Sequence, residues 1–135
     1  IDTGIDRLTH LAPTAARIAE AGSARLREHG VSASKARAIV SVARLVASDE
    51  LKLEPGSDVS ATMRALMEIA GIGDRLATLI VMRTLGWPDA FPLGCESMAH
   101  TVDAPSASAF RVMSERWRPW RSYAAMHLAL ASSKG

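Results

Sequence analysis

Apolar residues recur every three or four positions along most of the chain, a spacing typical of helices that bury one face. The clearest case is residues 60–86, where two such segments flank the sequence Gly71-Ile72-Gly73. Glycine allows the tight, partly left-handed backbone that a short turn between helices needs. The pattern therefore predicts a helix-hairpin-helix element. Its first helix should end near Ala70, and its second should run to about Leu85.

Short polar side chains mark the expected starts of these two helices, because their oxygens can accept hydrogen bonds from free N–H groups at a helix N-terminus. We expect Asp58 or Ser60 to cap the first helix and Asp74 to cap the second. The other apolar-periodic segments predict further helices, over residues 15–21, 23–29, 34–48, 95–102, 106–113 and 120–132.

Proline, glycine and serine refine the predictions for the N-terminal part of the chain. Pro13 should stand at the first position of the first helix, and Gly22 and Gly30 should end the two short helices that follow. Ser32 or Ser34 should cap the longer helix after them. The residues expected on the buried face of that helix are Ile39, Val42, Ala43 and Val46.

Composition supports an all-α fold. The 135 residues include few aromatics and no alternating apolar runs, and their length suffices for one domain, 1–135. Net charge is only +2, so no strong general attraction to nucleic acid follows. A single cysteine excludes an internal disulfide, and no apolar run reaches membrane-spanning length. We expect a soluble, cytoplasmic, bacterial domain. Because the chain starts at Ile1, we also expect it to be a fragment of a longer protein.

Four blocks resemble the AlkA-type 3-methyladenine DNA glycosylases of the helix-hairpin-helix base-excision superfamily. In chain order they are Ile69-Ala70-Gly71-Ile72-Gly73, Met82-Arg83-Thr84-Leu85-Gly86, Pro88-Asp89-Ala90-Phe91-Pro92, and Glu115-Arg116-Trp117-Arg118-Pro119-Trp120-Arg121-Ser122-Tyr123-Ala124. The resemblance covers nearly the whole chain and implies the C-terminal helical portion of such an enzyme. Similar domains are appended to Ada-type alkylation-response regulators, which would suit an excised piece.

The resemblance also implies a catalytic position. In the family, a carboxylate after the hairpin stabilises the oxocarbenium-like transition state of base release. Aligned without a gap from Gly73, this position holds Cys95, and a neutral thiol offers no charge. Glu96 carries a carboxylate one residue later. A shift of one helical residue rotates a side chain by about 100°, so Glu96 is a poor substitute.

Two positions of the implied base pocket also differ from the family pattern. The family has Trp and Tyr two and six residues after the second hairpin glycine, where this chain has Arg75 and Leu79. Cationic alkylated bases are held by stacking on electron-rich rings. Arg75 would repel such a base and Leu79 would stack poorly, which indicates relaxed or redirected function.

The hairpin implies DNA binding that does not depend on these side chains. Free N–H groups at the start of a helix form a cradle for one phosphate. The residues expected around that phosphate are Gly71, Ile72, Gly73, Asp74 and Arg75. Four histidines show no ligand spacing, so we expect no metal site, and nothing indicates a cofactor.

The C-terminal aromatic and basic residues each allow two interpretations. Trp117, Trp120 and Tyr123 fit core packing better than base stacking, and we expect His127 to have a structural role on the same face as Tyr123. A second group fits either phosphate contacts or pairing with carboxylates such as Glu115. It consists of Arg116, Arg118 and Arg121.

Three functional hypotheses follow. The first is a degenerate, non-catalytic glycosylase-like domain that binds double-stranded DNA weakly and non-specifically or serves as a protein-interaction module. The second is an active DNA-3-methyladenine N-glycosylase. The third is an engineered variant of such an enzyme with cysteine in place of aspartate. The third would explain Cys95 but neither Arg75 nor Leu79.

Overall fold

The computed structural model of the chain describes residues 12–94 and 96–132. Within these two ranges it contains seven α-helices and no β-strand, so the predicted all-α fold is confirmed. In chain order the helices are α1 (Ala15–Glu28), α2 (Ala33–Ala47), α3 (Val59–Met67), α4 (Asp74–Thr84), α5 (Glu96–Thr101), α6 (Ala107–Glu115) and α7 (Arg121–Ser132).

The chain divides into two compact units, the first ending at Leu51 and the second beginning at Lys52. The first unit contains α1 and α2, and the second contains α3 to α7. The hairpin element therefore lies wholly within the second unit. That residues 1–135 form a single domain stays a prediction.

In the first unit α1 and α2 pack against each other. The Thr14 hydroxyl oxygen accepts a hydrogen bond from the Arg17 N–H at 3.3 Å, so Thr14 is the cap of α1. The prediction that Pro13 is the first helical residue was wrong, because threonine supplies the acceptor that proline lacks. The predicted break at Gly22 is confirmed by its φ of 72°, in the left-handed region that favours glycine.

The buried stripe of α2 differs from the predicted one. It consists of Ala36, Val40 and Ala43. Ile39 is 40% exposed, and Val42 and Val46 are only partly buried, so the prediction was right in full only for Ala43. Alanine lets a neighbouring helix approach closely, and the distance between packed helices depends on the side chains at the contact. A buried face predicted from hydrophobicity alone does not take this preference for small residues into account.

Side-chain caps start two helices of the second unit, and the one at Asp58 was predicted. Asp58 accepts a hydrogen bond from the Ala61 N–H at 2.7 Å at the start of α3. Ser106 accepts one from the Ala109 N–H at 3.1 Å at the start of α6. α3 ends at Met67, earlier than predicted, because the chain tightens there into turn hydrogen bonds.

An aromatic cluster forms the core of the second unit. Phe91, from the loop after α4, lies 5.3 Å from Phe110 of α6 and 5.7 Å from Trp117, measured between ring centroids. Met98 of α5 and Ala125 of α7 complete the buried set. Tilted and edge-on rings at these separations interact favourably beyond their buried area. The cluster thus joins the post-hairpin loop to the three C-terminal helices.

We predict that Phe110→Ala destabilises the second unit by about 3–5 kcal/mol, because Phe110 is 2% exposed and its removal leaves a cavity at the centre of the cluster. Val112→Ala on the same helix is the matched control, since Val112 is 69% exposed and should change stability by less than ~0.5 kcal/mol. Urea unfolding followed by tryptophan fluorescence suits this test, because all three tryptophans lie in the second unit. Equal losses in both variants would contradict the assignment of Phe110 to the core.

Candidate nucleic-acid interface and adjoining groove

The turn between α3 and α4 has the predicted hairpin geometry. Ile69 and Ile72 point into the protein and are buried, and the Ile72 N–H donates to the Ile69 carbonyl at 3.0 Å. Gly71 has a φ of 95°, which a side chain would strain. Gly73 has extended backbone and is the cap residue of α4. The expected turn over 71–73 is therefore confirmed.

The N–H groups of this turn are available to a ligand. Gly71 and Gly73 are exposed, and neither N–H donates a hydrogen bond within the described residues. Arg75 lies in the first turn of α4, where an N–H has no intrahelical acceptor. Together with the positive end of the helix dipole, these donors form a site suited to one phosphate oxygen.

Asp74 is the first helical residue of α4 and not its cap, so the predicted capping role was wrong. The cap position belongs to Gly73, which has no side chain to accept a bond. Because Gly73 leaves the N-terminal donors unpaired, they stay open to an external acceptor. The Asp74 carboxylate favours the helix dipole but opposes an approaching phosphate.

Arg75 connects the hairpin to the segment that precedes α5. Its guanidinium donates to the Gly94 carbonyl at 3.4 Å, a long hydrogen bond. Gly94 is the residue before Cys95, which lies outside the described residues. The structure therefore places the Arg75 guanidinium beside Gly94. Gly94 is one residue before Cys95, the position where the family resemblance implies the catalytic residue. Glu96 opens α5 and is exposed.

Arg75 and Leu79, the two expected pocket positions, line the same groove. The groove has a volume of about 410 Å³ and lies between α4 and α7, with Met98 of α5 and Pro92 also on its wall. Its described lining includes no aromatic ring and no carboxylate. Glu96 instead lines a separate cavity of about 600 Å³ with His100 and Arg111. The carboxylate of Glu96 and the two pocket positions therefore do not share a cavity.

An ion-pair network holds the loop after α4 against the start of α7. Arg121 binds both carboxylate oxygens of Asp89, at 2.7 and 2.8 Å, and these two side chains are only 10% and 14% exposed. Arg118 also reaches Asp89 at 2.9 Å. Two further bonds join the same segments, since the Ser122 N–H and hydroxyl both donate to the Pro88 carbonyl.

Glu115 extends this network toward solvent. It accepts hydrogen bonds from Arg118 at 2.6 Å and from Arg121 at 3.0 Å. The bond from Arg118 holds the pKa of Glu115 below its ordinary value of 4.5. Because the pKa of Glu115 is lower in the folded than in the unfolded protein, Glu115 stabilises the fold at pH values above its unfolded-state pKa. That contribution is lost as the pH falls through its folded-state pKa. Of the two interpretations, carboxylate pairing is thus the one observed for Arg118 and Arg121, while Arg116 is simply exposed.

Sequence reasoning did not find the pairing of Asp89 with Arg121. The two residues are 32 positions apart. No local pattern indicated this pairing, because Asp89 follows Pro88 in a predicted loop whereas Arg121 lies in the predicted final helix. Met82, Arg83 and Met126 were also missed as groove residues. For Met82 and Arg83 a signal existed, because they follow Leu79 by three and four residues on one helix face.

The three C-terminal aromatics have different environments. Trp117 packs in the core as predicted. Core packing was wrong for Trp120 and Tyr123, which are exposed and stack edge-on against each other with centroids 5.8 Å apart. His127 is exposed as well, so its expected structural role has no support. Trp120, Tyr123 and His127 are thus exposed at the surface of the second unit.

The described residues show neither a metal-binding cluster nor a membrane-spanning helix. Among residues 12–94 and 96–132, no three His, Cys, Asp or Glu side chains are grouped as a metal site would require. None of the described helices is both long enough and apolar enough to cross a membrane.

Comparison with known proteins identifies relatives that are named as DNA repair enzymes or glycosylases. No model of a known protein family matches the chain. It is 38% identical over 125 residues to a Mycobacterium tuberculosis protein named "Probable bifunctional transcriptional activator/DNA repair enzyme AlkA". It is 30% identical to the DNA-3-methyladenine glycosylase of Bacillus subtilis and to DNA-3-methyladenine glycosylase 2 of Escherichia coli. The chain is a homologue of AlkA and the DNA-3-methyladenine glycosylases.

The homology covers most of this chain but only part of each relative. The matched region is 90% of this chain and 25% of the M. tuberculosis protein. For the B. subtilis and E. coli enzymes it is 86% of this chain and 41% of the relative. The chain thus spans between a quarter and two fifths of the length of these proteins, and it contains the hairpin element with its neighbouring helices.

We predict that Asp89→Ala destabilises the second unit by about 3–5 kcal/mol, because it leaves the Arg121 guanidinium buried without its main partner. The exposed Glu54→Ala removes the same charge elsewhere in the unit and should cost less than ~0.5 kcal/mol. Urea unfolding by tryptophan fluorescence measures both.

A double variant separates the unpaired charge from any packing loss. Asp89→Leu combined with Arg121→Met removes both charges and should be more stable than Asp89→Ala alone. If the double variant is the less stable of the two, the stabilisation comes from the shape of the side chains and not from their pairing.

Proposed function

We propose that this chain is the hairpin-bearing part of an alkylation-repair protein and binds duplex DNA weakly through the turn between α3 and α4, without releasing bases. The observation that carries the proposal is the exposed turn, in which the Gly71 and Gly73 N–H groups have no acceptor among the described residues. The proposal is also supported by the homologues, whose names describe DNA repair enzymes.

Binding through this turn depends on the backbone, so it survives changes in the surrounding side chains. One phosphate held by N–H groups at a helix N-terminus carries no sequence information. The net charge of +2 adds little long-range attraction. The Asp74 carboxylate, next to the donors, weakens the contact further. Weak and sequence-independent binding follows from these three features.

The absence of catalysis rests on charge and position. The position implied for the catalytic aspartate holds Cys95, whose thiol has no fixed charge unless its surroundings lower its pKa. Glu96 lines a different cavity from Arg75 and Leu79. The Arg75 guanidinium on the groove wall also disfavours a cationic alkylated base. Each feature alone weakens base release, and together they remove both the transition-state charge and the base-binding surface.

An active DNA-3-methyladenine glycosylase is the second candidate, favoured by the names of the B. subtilis and E. coli relatives. In that case Glu96 would have to supply the missing carboxylate. The two candidates differ in a simple observable, the release of free base from alkylated DNA.

For DNA binding, we expect a dissociation constant no tighter than the ~10⁻⁴–10⁻⁶ M usual for non-specific contacts, weakening with salt by about 0.9 log units of affinity per log unit of salt for each phosphate neutralised. Asp74→Lys should tighten binding by about 3- to 10-fold, because it replaces the opposing charge at the helix start. Fluorescence anisotropy of a labelled duplex at two salt concentrations measures both.

Glu54→Lys is the matched control for that experiment, since it makes the same charge change on an exposed loop residue of the same unit. It should alter affinity by much less than Asp74→Lys does. If both variants tighten binding equally, only net charge matters. If the unsubstituted protein does not bind DNA at low salt and Asp74→Lys does not create binding, the hairpin does not contact DNA and the proposal fails.

For catalysis, we expect no release of 3-methyladenine from alkylated duplex DNA, as measured by chromatography of the free base. Removal of one electrostatic group typically costs about 10²–10³ in rate, and here the pocket has changed as well. Cys95→Asp alone should therefore not restore full activity, because Arg75 and Leu79 remain. The B. subtilis DNA-3-methyladenine glycosylase serves as the positive control. Clear turnover that Glu96→Gln abolishes would establish the second candidate.

A further inference from the structure

A stripe of exposed apolar side chains runs along α7. It consists of Trp120, Tyr123, Met126 and Leu130, which are between 46% and 63% exposed. Spacings of three and four residues place them on one face of the helix. The opposite face, with Arg121 and Ala125, is buried. Ten residues of helix rise by about 15 Å, so the stripe is three turns long. Contiguous exposed apolar surface of this kind marks an interaction site more often than chance.

Three residues of this stripe, Tyr123, Met126 and Leu130, lie on one wall of a continuous groove whose other wall is α4. The groove of about 410 Å³ described above adjoins a second cavity of about 510 Å³, and the two share Met82, Arg83 and Met126. The groove extends from Arg75, near the hairpin turn, to Pro88 in the loop after α4. α4 packs on α3, and α7 packs on α5, which leaves the space between α4 and α7 open.

The charges of the groove are all of one sign. Arg75 and Arg83 both line it, and none of its described lining residues is Asp or Glu. Eight residues of α4 separate the two arginines, about 12 Å along the helix axis. The Arg83 side chain makes no hydrogen bond or ion pair with any described residue, and the Arg75 side chain makes only the long bond to the Gly94 carbonyl. Both guanidinium groups are thus available to a carboxylate from outside.

We propose that the groove between α4 and α7 binds a helix of a partner protein that is apolar on one face and carries Glu or Asp along the edges of that face. Helices dock in apolar grooves through side chains at positions i, i+3, i+4 and i+7. Tyr123, Met126 and Leu130 on the groove wall have the spacing i, i+3 and i+7, and the two arginines on α4 match acidic edges. Duplex DNA fits less well, because most of the groove wall is apolar and, of its described lining residues, only the two arginines offer positive charge to its phosphates. This surface adjoins the Gly71–Gly73 turn at Arg75, but it binds through side chains and not through the N–H groups of the turn, so the proposal does not depend on DNA binding by the turn.

The test uses two labelled peptides of 14 residues, both with leucine at the four anchor positions and differing only in the charge of the flanking residues. The acidic peptide, with Glu, should bind with a dissociation constant of about 10–100 μM, typical of an unoptimised contact of this size. The basic peptide, with Lys, should bind at least about tenfold more weakly. Arg83→Glu should abolish this preference, because the groove then carries one positive and one negative charge. Arg37→Glu makes the same charge change at an exposed position of α2 and should leave the preference for the acidic peptide intact.

Methyl spectra of the methionines locate the bound peptide. Met82, Met98 and Met126 line the groove, whereas Met67 is exposed on α3 and serves as the internal control. The acidic peptide should shift the groove methyl signals and leave Met67 unchanged. Equal binding of both peptides, or no shift of the groove signals at 1 mM peptide, overturns the proposal. Competition by duplex DNA that Arg83→Glu abolishes would assign the groove to phosphate and also overturn it.

Discussion

The pairing of Arg121 with Asp89 is the constraint on which the second unit depends. Both carboxylate oxygens of Asp89 bind the guanidinium, and both side chains are nearly buried, so neither charge has water as an alternative partner. This pair fixes the loop after α4 to the first turn of α7. Phe91 follows in the same loop and inserts between Phe110 and Trp117. The loop that joins the hairpin to the C-terminal helices is therefore held at two points, Asp89 and Phe91.

With the loop fixed, the second unit presents two candidate binding surfaces, which differ in the chemical groups that they offer to a ligand. The turn between α3 and α4 offers backbone N–H groups, whose binding capacity depends on conformation and not on side-chain identity. The groove between α4 and α7 offers side chains, and its character depends entirely on which ones are present. A change of side chain at Arg75 or Leu79 therefore alters the groove and leaves the turn intact. The fold and the hairpin turn do not depend on which side chains line the groove.

Much of the local structure could be predicted from the sequence, and the misses share a cause. The turn at Gly71, the break at Gly22 and the cap Asp58 depend on backbone freedom or on a hydrogen bond over three residues, so local residues are enough. Asp74 was misplaced by one position, because a glycine with extended backbone also serves as a cap. Arg75 and Leu79 were proposed as pocket positions from the family resemblance, and both line the groove.

The sequence by itself determined the helices, the hairpin and the kinship with the DNA-3-methyladenine glycosylases, since these depend on periodicity and on short contiguous blocks. Only the tertiary structure decided which side chains are buried. It placed Trp117 in the core and left Trp120 and Tyr123 outside, although all three lie within seven residues of each other. It also paired Asp89 with Arg121 and separated Glu96 from Arg75. Burial and long-range pairing depend on which faces meet in space, and one-dimensional spacing does not encode this.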